Sequence, residues 1–476
     1  MEAIWQKRVE NAVQQTIEGN IFAGFNTNVD VVVHLNDQSI QALLVDDEVT
    51  MEQVCQLDVN AVEEIRTKTD FVAVIKDCLG KGKSFYIVLE TMALLDWLDE
   101  RFVTKREIMG GQAGIIANQM AALKANSIVY TSLLSPKQAE MFFPEVLYPV
   151  VNAELKLTPV QESAKRDDSL KINWIFEYAK GEVFNFGDEQ VVTPRANRVI
   201  LATRPDGVAM DFAGDVAKNL PELGKNIDVA FMAGYHYAPT ASLELQQYLD
   251  GCLESIRQLK IGNEKLRLHF EYVPMKDQEA EKQMLQTVAQ EIQSFGINEN
   301  EICRVLEEFG FEDELSQIEE NERGYALYQG ALRIQEKLGF ERIQVHNLGY
   351  YVLVLKKPYP SSVEQVRNAC LYASSVNAMK AKNGGYVRRD QVPEAASMSL
   401  SEIGIKQLEE FAQEVQALGL AMPANFVNEG IWEREDHYVL VVPAHVVSNP
   451  VSTVGMGDTI SSSSYACESV SMSLVK

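Results

Sequence analysis

Apolar and polar positions along this chain follow two rhythms. Residues 1–19 place apolar side chains at helical spacing and predict an amphipathic helix. The short apolar run 21–25 ends in Asn26-Thr27-Asn28-Val29-Asp30, which predicts a strand running into a polar loop. Residues 51–79 predict a helix. Gly110-Gly111-Gln112-Ala113-Gly114 opens another at 115–123, and a strand follows at 127–133. Strand and helix in turn are the signature of an α/β protein.

Residues 171–200 break that rhythm. The stretch 171–178 alternates, Lys180-Gly181-Glu182 turns, and 183–192 continues as strand, so an antiparallel hairpin is predicted. Strands then recur at 229–232, 266–272, 342–346, 351–355 and 438–443, with a helix at 276–294. A loop covers 444–457, and a last helix begins at 459. The pattern predicts one large α/β domain from 1–33, 111–164 and 200–476. A smaller, mainly β lid is expected from the discontinuous segments 34–110 and 165–199.

Composition narrows the function. The chain has 476 residues, enough for a sizeable core, and a formal net charge of −25. Such a surface repels phosphate backbones, so nucleic acid is not an expected partner. An anionic substrate would need local Lys or Arg, a backbone nest or Mg²⁺. No apolar run of about 18 residues predicts a membrane span, and the N-terminus lacks the layout of a signal peptide. Six scattered cysteines without a CxxC pair fit reduced thiols, so a cytoplasmic location is expected.

Six segments carry candidate chemistry. In Val451-Ser452-Thr453-Val454-Gly455-Met456-Gly457-Asp458-Thr459, two glycines let backbone N–H groups converge on an anion just before a helix start. Asp458 there can accept a proton from an attacking hydroxyl, or simply cap the helix. In His269-Phe270-Glu271, strand alternation puts both side chains on one face. Glu271 can hold Mg²⁺ through water or form a structural ion pair. Asn298 and Glu301 are spaced for one helix face, which suits a hard cation and equally a capping box. Asn28 and Asp30 in the loop after the first strand suit sugar hydroxyls or an Asx turn. Arg195 and Arg198 can clamp phosphate or stand solvated, and His346 at a strand end can touch a ligand or pack. No Walker A loop, protein-kinase motif set or GxSxG elbow is found.

The order of these segments resembles one family. Residues 449–461, Asn-Pro-Val-Ser-Thr-Val-Gly-Met-Gly-Asp-Thr-Ile-Ser, are similar to the signature of the ADP-dependent sugar kinases. These are the archaeal-type glucokinases and phosphofructokinases of the ribokinase-like superfamily. Gly110 to Asn118 resembles the family's sugar-site turn, His269-Phe270-Glu271 its HxE motif, and Asn298 to Glu301 its NxxE motif. Pro194 to Arg198 and Val345-His346-Asn347 recur in the family's order.

The resemblance implies a ribokinase-like, Rossmann-type large domain with a lid that closes over the sugar, and Mg-dependent phosphoryl transfer from ADP to glucose or fructose 6-phosphate. Asp458 would be the base, and Gly455, Met456 and Gly457 the anion hole. Glu271, Asn298 and Glu301 would organise Mg²⁺. Asn28, Asp30, Gly111, Gln112 and Glu90 would meet the sugar, and Arg195, Arg198, His346 and Val446 the nucleotide. Two departures stand out. Asn173 occupies a position where many members have His, and 85–91 matches the sugar-selecting region weakly. An ATP-using relative acting on another sugar and a non-catalytic sensor are the alternatives.

Overall fold

The computed structural model describes residues 1–62, 64–89, 92–240, 242–452 and 454–474. Its larger sheet has eleven strands. The middle is parallel and runs Asn126–Tyr130, Asn20–Phe25, Val229–Ala233, Arg267–Glu271, Ser294–Asn298, Arg342–Asn347. Val229–Ala233 is buried at every position, as a strand covered on both faces must be. Antiparallel strands extend the sheet at both edges, with Tyr350–Lys356 and His437–Pro443 on one side and Leu155–Pro159 on the other. The parallel strands all end on one side of the sheet. That edge is where open α/β sheets bind ligands.

The smaller sheet has six strands in the order Glu64–Ile65, Phe85–Leu89, Asn197–Thr203, Ile172–Tyr178, Asn28–His34, Arg106–Gly110. Alternation divides its two faces. Val29, Val31, Trp174, Phe176, Val199 and Leu201 point into a separate apolar core. Residues of Lys68–Lys81 and Met92–Arg101 share that core. Asp30, Asn173 and Arg198 fall on the opposite face by the two-residue period of a strand.

The chain therefore crosses between sheets directly after Phe25 and directly after Gly110. Asn28–His34 and Asn197–Thr203 lie in the smaller sheet, so the lid includes residues that sequence periodicity assigned to the large domain.

Three local readings change. The hairpin closes at Gly187-Asp188, where Val183–Phe186 pairs with Glu189–Val192, while Ile172–Tyr178 pairs antiparallel with Asn197–Thr203. The predicted helix 51–79 is two helices, Met51–Gln56 and Lys68–Lys81. Thr67 and Asp70 form a capping box that starts the second. The predicted helix 276–294 stops at Val288, and Ser294–Asn298 is a strand. No helix among the described residues is long and apolar enough to cross a membrane.

Candidate active site

The helix Met456–Leu474 begins at the glycine pair, with Asp458 in its first turn. Gly455 has φ +64°, and a Cβ there would sit 2.8 Å from Ile115 Cδ1. The turn thus needs a residue without a side chain in order to aim its amides outward. Thr459 braces it by donating from Oγ1 to the Gly455 carbonyl at 2.8 Å.

Asp458 is part-exposed at the head of this helix, and its pKa is raised to about 6. Burial is the main cause. The Lys380 ammonium and a hydrogen bond with Gln112 oppose it. A carboxylate held there stays charged at neutral pH yet takes up a proton readily.

Glu271 ends the strand Arg267–Glu271. Its Oε2 lies 3.1 Å from His269 Nε2 and its Oε1 3.5 Å from His346 Nε2. The side chain lies across the neighbouring strand at Gly296, where any Cβ would overlap Glu271 Oε2. Burial pushes the Glu271 carboxyl well above its ordinary range, and the like charges of Asp458 and Glu301 push it further.

Asn298 and Glu301 form the capping box of Glu299–Phe309. Asn298 Oδ1 accepts from the Glu301 amide at 2.9 Å, and Glu301 Oε2 accepts from the Asn298 amide at 3.0 Å. Burial raises Glu301 to about 7, with Asp458 adding to the rise. The charge of Asp458 thus adds to the burial that raises both Glu271 and Glu301. Among the described residues no group of three His, Cys, Asp or Glu side chains is placed to hold a metal ion.

Gln112, the first residue of Gln112–Ala122, joins this cluster to the sugar-side candidates. Its Nε2 donates to the Glu271 carbonyl at 3.4 Å, and its side chain also hydrogen-bonds Asp458. Gly111 caps the same helix, and its amide neighbour Ala113 donates to the Asn26 carbonyl at 3.0 Å.

Asp30 faces the crevice from the smaller sheet. Asn28 and Asn173 hydrogen-bond its carboxylate, yet burial holds its pKa at about 6. Asn173 at this position thus reads the Asp30 carboxylate through an amide.

The remaining expectations fall in different places. His346 is buried beside Glu271, and its Nε2 approaches Gly457; burial lowers its pKa to about 4, so it is neutral. It borders the glycine turn. Val446 is half-buried on the loop that leads from His437–Pro443 to that turn. Arg198 is exposed on the open face of the lid sheet, near enough to Asp30 to favour its charge. Arg195 is spent elsewhere: its Nε donates to the Gly82 carbonyl at 2.6 Å, at the end of Asn197–Thr203 remote from the crevice. Glu90 lies outside the described residues.

The structure adds a cluster that sequence did not single out. Lys171 precedes Ile172–Tyr178, and Arg204 follows Asn197–Thr203. Lys171 is buried, and its Nζ donates to Asn26 Oδ1 at 2.5 Å. Burial, aided by the Arg204 charge, lowers the Lys171 pKa to about 7. Among the described residues neither cation forms a salt bridge, although the Asp30 charge partly supports Lys171. Lone basic residues at strand ends carry no spacing signal, so only the fold brings these two together. Lys380 is a similar case. It is buried near the C-terminus of Val363–Asn383, over the ring of Tyr386 at 4.9 Å and within electrostatic reach of Asp458.

A doubly layered α/β domain, a sheet-built lid, a glycine turn before a helix and a carboxylate behind it define a sugar kinase of the ribokinase-like fold. The chain belongs to the family described as the ADP-specific phosphofructokinase/glucokinase conserved region, whose model matches residues 19–467. It is similar to the ADP-specific phosphofructokinase of Pyrococcus furiosus, with 30% identity across 95% of this chain and 97% of that protein. The fold matches the last common ancestor of ADP-dependent phosphofructokinases from Methanosarcinales, with a TM-score of 0.86, 31% identity and 100% of both chains covered. It also matches an ADP-dependent kinase in complex with fructose 6-phosphate and ADPβS, with a TM-score of 0.84, 31% identity and 99% of both chains covered.

Proposed function

We propose that this chain transfers the β-phosphoryl group of ADP to fructose 6-phosphate. The observation that carries the choice of acceptor is the buried Lys171 beside Arg204, at the edge of the crevice that also holds Asp30. Burying an ammonium next to a guanidinium is costly unless an anion joins them. A sugar phosphate brings that anion, and a neutral hexose does not.

The reaction follows from positions already described. The 1-hydroxyl of the sugar gives its proton to Asp458 as its oxygen bonds to the β-phosphorus. The bond from that phosphorus to the bridging oxygen breaks, and AMP leaves with its electron pair. Amides of Gly455, Met456 and Gly457 hold the transferring oxygens at the helix N-terminus, where the dipole favours negative charge. Asn28, Asp30, Gly111 and Gln112 position the sugar. His346 and Val446 border the nucleotide, and Arg198 faces its phosphates from the lid.

Glu271 and Glu301 suit Mg²⁺ held through water, because burial and the like charge of Asp458 disfavour both carboxylates at one spot and a hydrated cation there would offset that charge. Asn298 serves by fixing Glu301. The ion, when bound, neutralises charge on the phosphate oxygens.

Phosphorus NMR of a mixture with ADP, Mg²⁺ and fructose 6-phosphate tests the proposal. Fructose 1,6-bisphosphate and AMP should accumulate together. Their absence, with glucose 6-phosphate formed from glucose under the same conditions, would overturn the acceptor assignment.

A further inference from the structure

Lys171 and Arg204 share one more neighbour. Tyr237 lies in the single turn Tyr235–Tyr237, which follows the large-sheet strand Val229–Ala233. Lys171 Nζ is 4.1 Å from the centroid of its ring, and Arg204 Cζ is 5.0 Å away. The ring thus comes from the large domain, while both cations stand where the chain enters or leaves the lid sheet. Tyr86 on Phe85–Leu89 hydrogen-bonds the Tyr237 hydroxyl, which adds a second link across the crevice.

Two cations this close repel each other. A carboxylate could hold them, but it would also cancel the charge that a phosphate needs. An aromatic ring attracts cations through its quadrupole and leaves their charge intact. The only side-chain hydrogen bond of the Lys171 ammonium among the described residues goes to the neutral amide of Asn26, which likewise leaves the charge intact.

We infer that Tyr237 is a specificity-determining positioning residue, whose ring keeps Lys171 and Arg204 side by side and charged for the phosphate of the acceptor sugar. The inference rests on the fructose 6-phosphate reading. It adds that the clamp is assembled by a residue of the opposite domain, so phosphate recognition depends on how the two sheets meet.

The test uses Tyr237→Phe, which keeps the ring, and Tyr237→Leu, which removes it. Tyr237→Met serves as a second ring-free variant if the leucine protein does not fold. Fructose 6-phosphate binding is measured by calorimetry on the full chain without nucleotide, and KM and kcat are measured alongside. The phenylalanine variant should bind within about twofold of the parent. The ring-free variant should bind on the order of tenfold more weakly, the loss expected for partly desolvated cation–π contacts. Its KM for ADP and its kcat should stay near the parent values. A ring-free variant that binds as the parent does would overturn the inference, as would a phenylalanine variant as weak as the leucine one. If the parent itself bound no fructose 6-phosphate, the acceptor reading would fall first, a result distinct from either.

Discussion

Asp458 titrates near 6 because burial opposes its charge more than Lys380 and Gln112 support it. The free enzyme should therefore lose kcat/KM as pH falls through about 6, where the base becomes protonated. Asp458→Asn should cost roughly 10²–10⁴ in rate, measured under saturating substrates. The same shift carries a stability prediction. A carboxyl whose folded pKa lies above its unfolded value makes the folded state less stable at neutral pH, where it is ionised. Asp458→Asn should thus melt at or above the temperature of the parent at pH 8, and a clearly lower melting temperature would show that burial does not strain this group. Lys171 predicts the opposite limb. Its pKa of about 7 means that the free enzyme loses this positive charge as pH rises above 7, so the KM for fructose 6-phosphate should climb there. A flat KM between pH 6.5 and 8.5 would remove Lys171 from the phosphate site.

At the scale of elements, the helix that starts at Met456 and the one that starts at Glu299 share a design. Each presents its N-terminus to the crevice, and each places an acidic side chain in its first turn. The capping box at Asn298 and Glu301 leaves only one Glu301 oxygen for anything else. Glu301→Gln can keep the cap, since glutamine serves at that position. It should therefore leave the melting temperature nearly unchanged while raising the Mg²⁺ needed for half-maximal activity, on the order of tenfold. Equal Mg²⁺ titrations would make Glu301 a cap alone. Gly455→Ala must fit a Cβ at positive φ against Ile115, so it should displace the anion-binding amides and lower kcat/KM by about 10²-fold.

Much of this was legible as local chemistry. The Gly-Met-Gly-Asp turn and the Asn298–Glu301 box signal themselves by residue type and spacing, and both lie where a helix begins. Pairings over distance were less legible. The strand Ser294–Asn298 is short and centred on glycine, so periodicity carried the preceding helix up to its first residue and left the rest unassigned. The hairpin at Gly187 was displaced because Lys180-Gly181-Glu182 is an equally good turn sequence. The Lys171, Arg204 and Tyr237 cluster draws on three strand ends separated along the chain, and nothing in their local sequence marks them.

Over the whole molecule, a net charge of −25 surrounds a crevice whose sugar side holds unpaired cations. The fold resolves that tension by bringing Lys171 and Arg204, from the ends of two lid-sheet strands, to one edge beside the large-domain ring of Tyr237, with Lys171 buried. The rigid large domain fixes both the glycine turn and the strand ends near His346. Donor length is then a matter of fit, since phosphoryl transfer depends on placing the terminal group against the nest. ADP should outperform ATP on that ground, in keeping with the family. The most direct test is kcat/KM measured for fructose 6-phosphate and for glucose, each with ADP and with ATP at fixed Mg²⁺. The account predicts the highest value for fructose 6-phosphate with ADP. A value for glucose equal to or above it would contradict the phosphate clamp at Lys171 and Arg204.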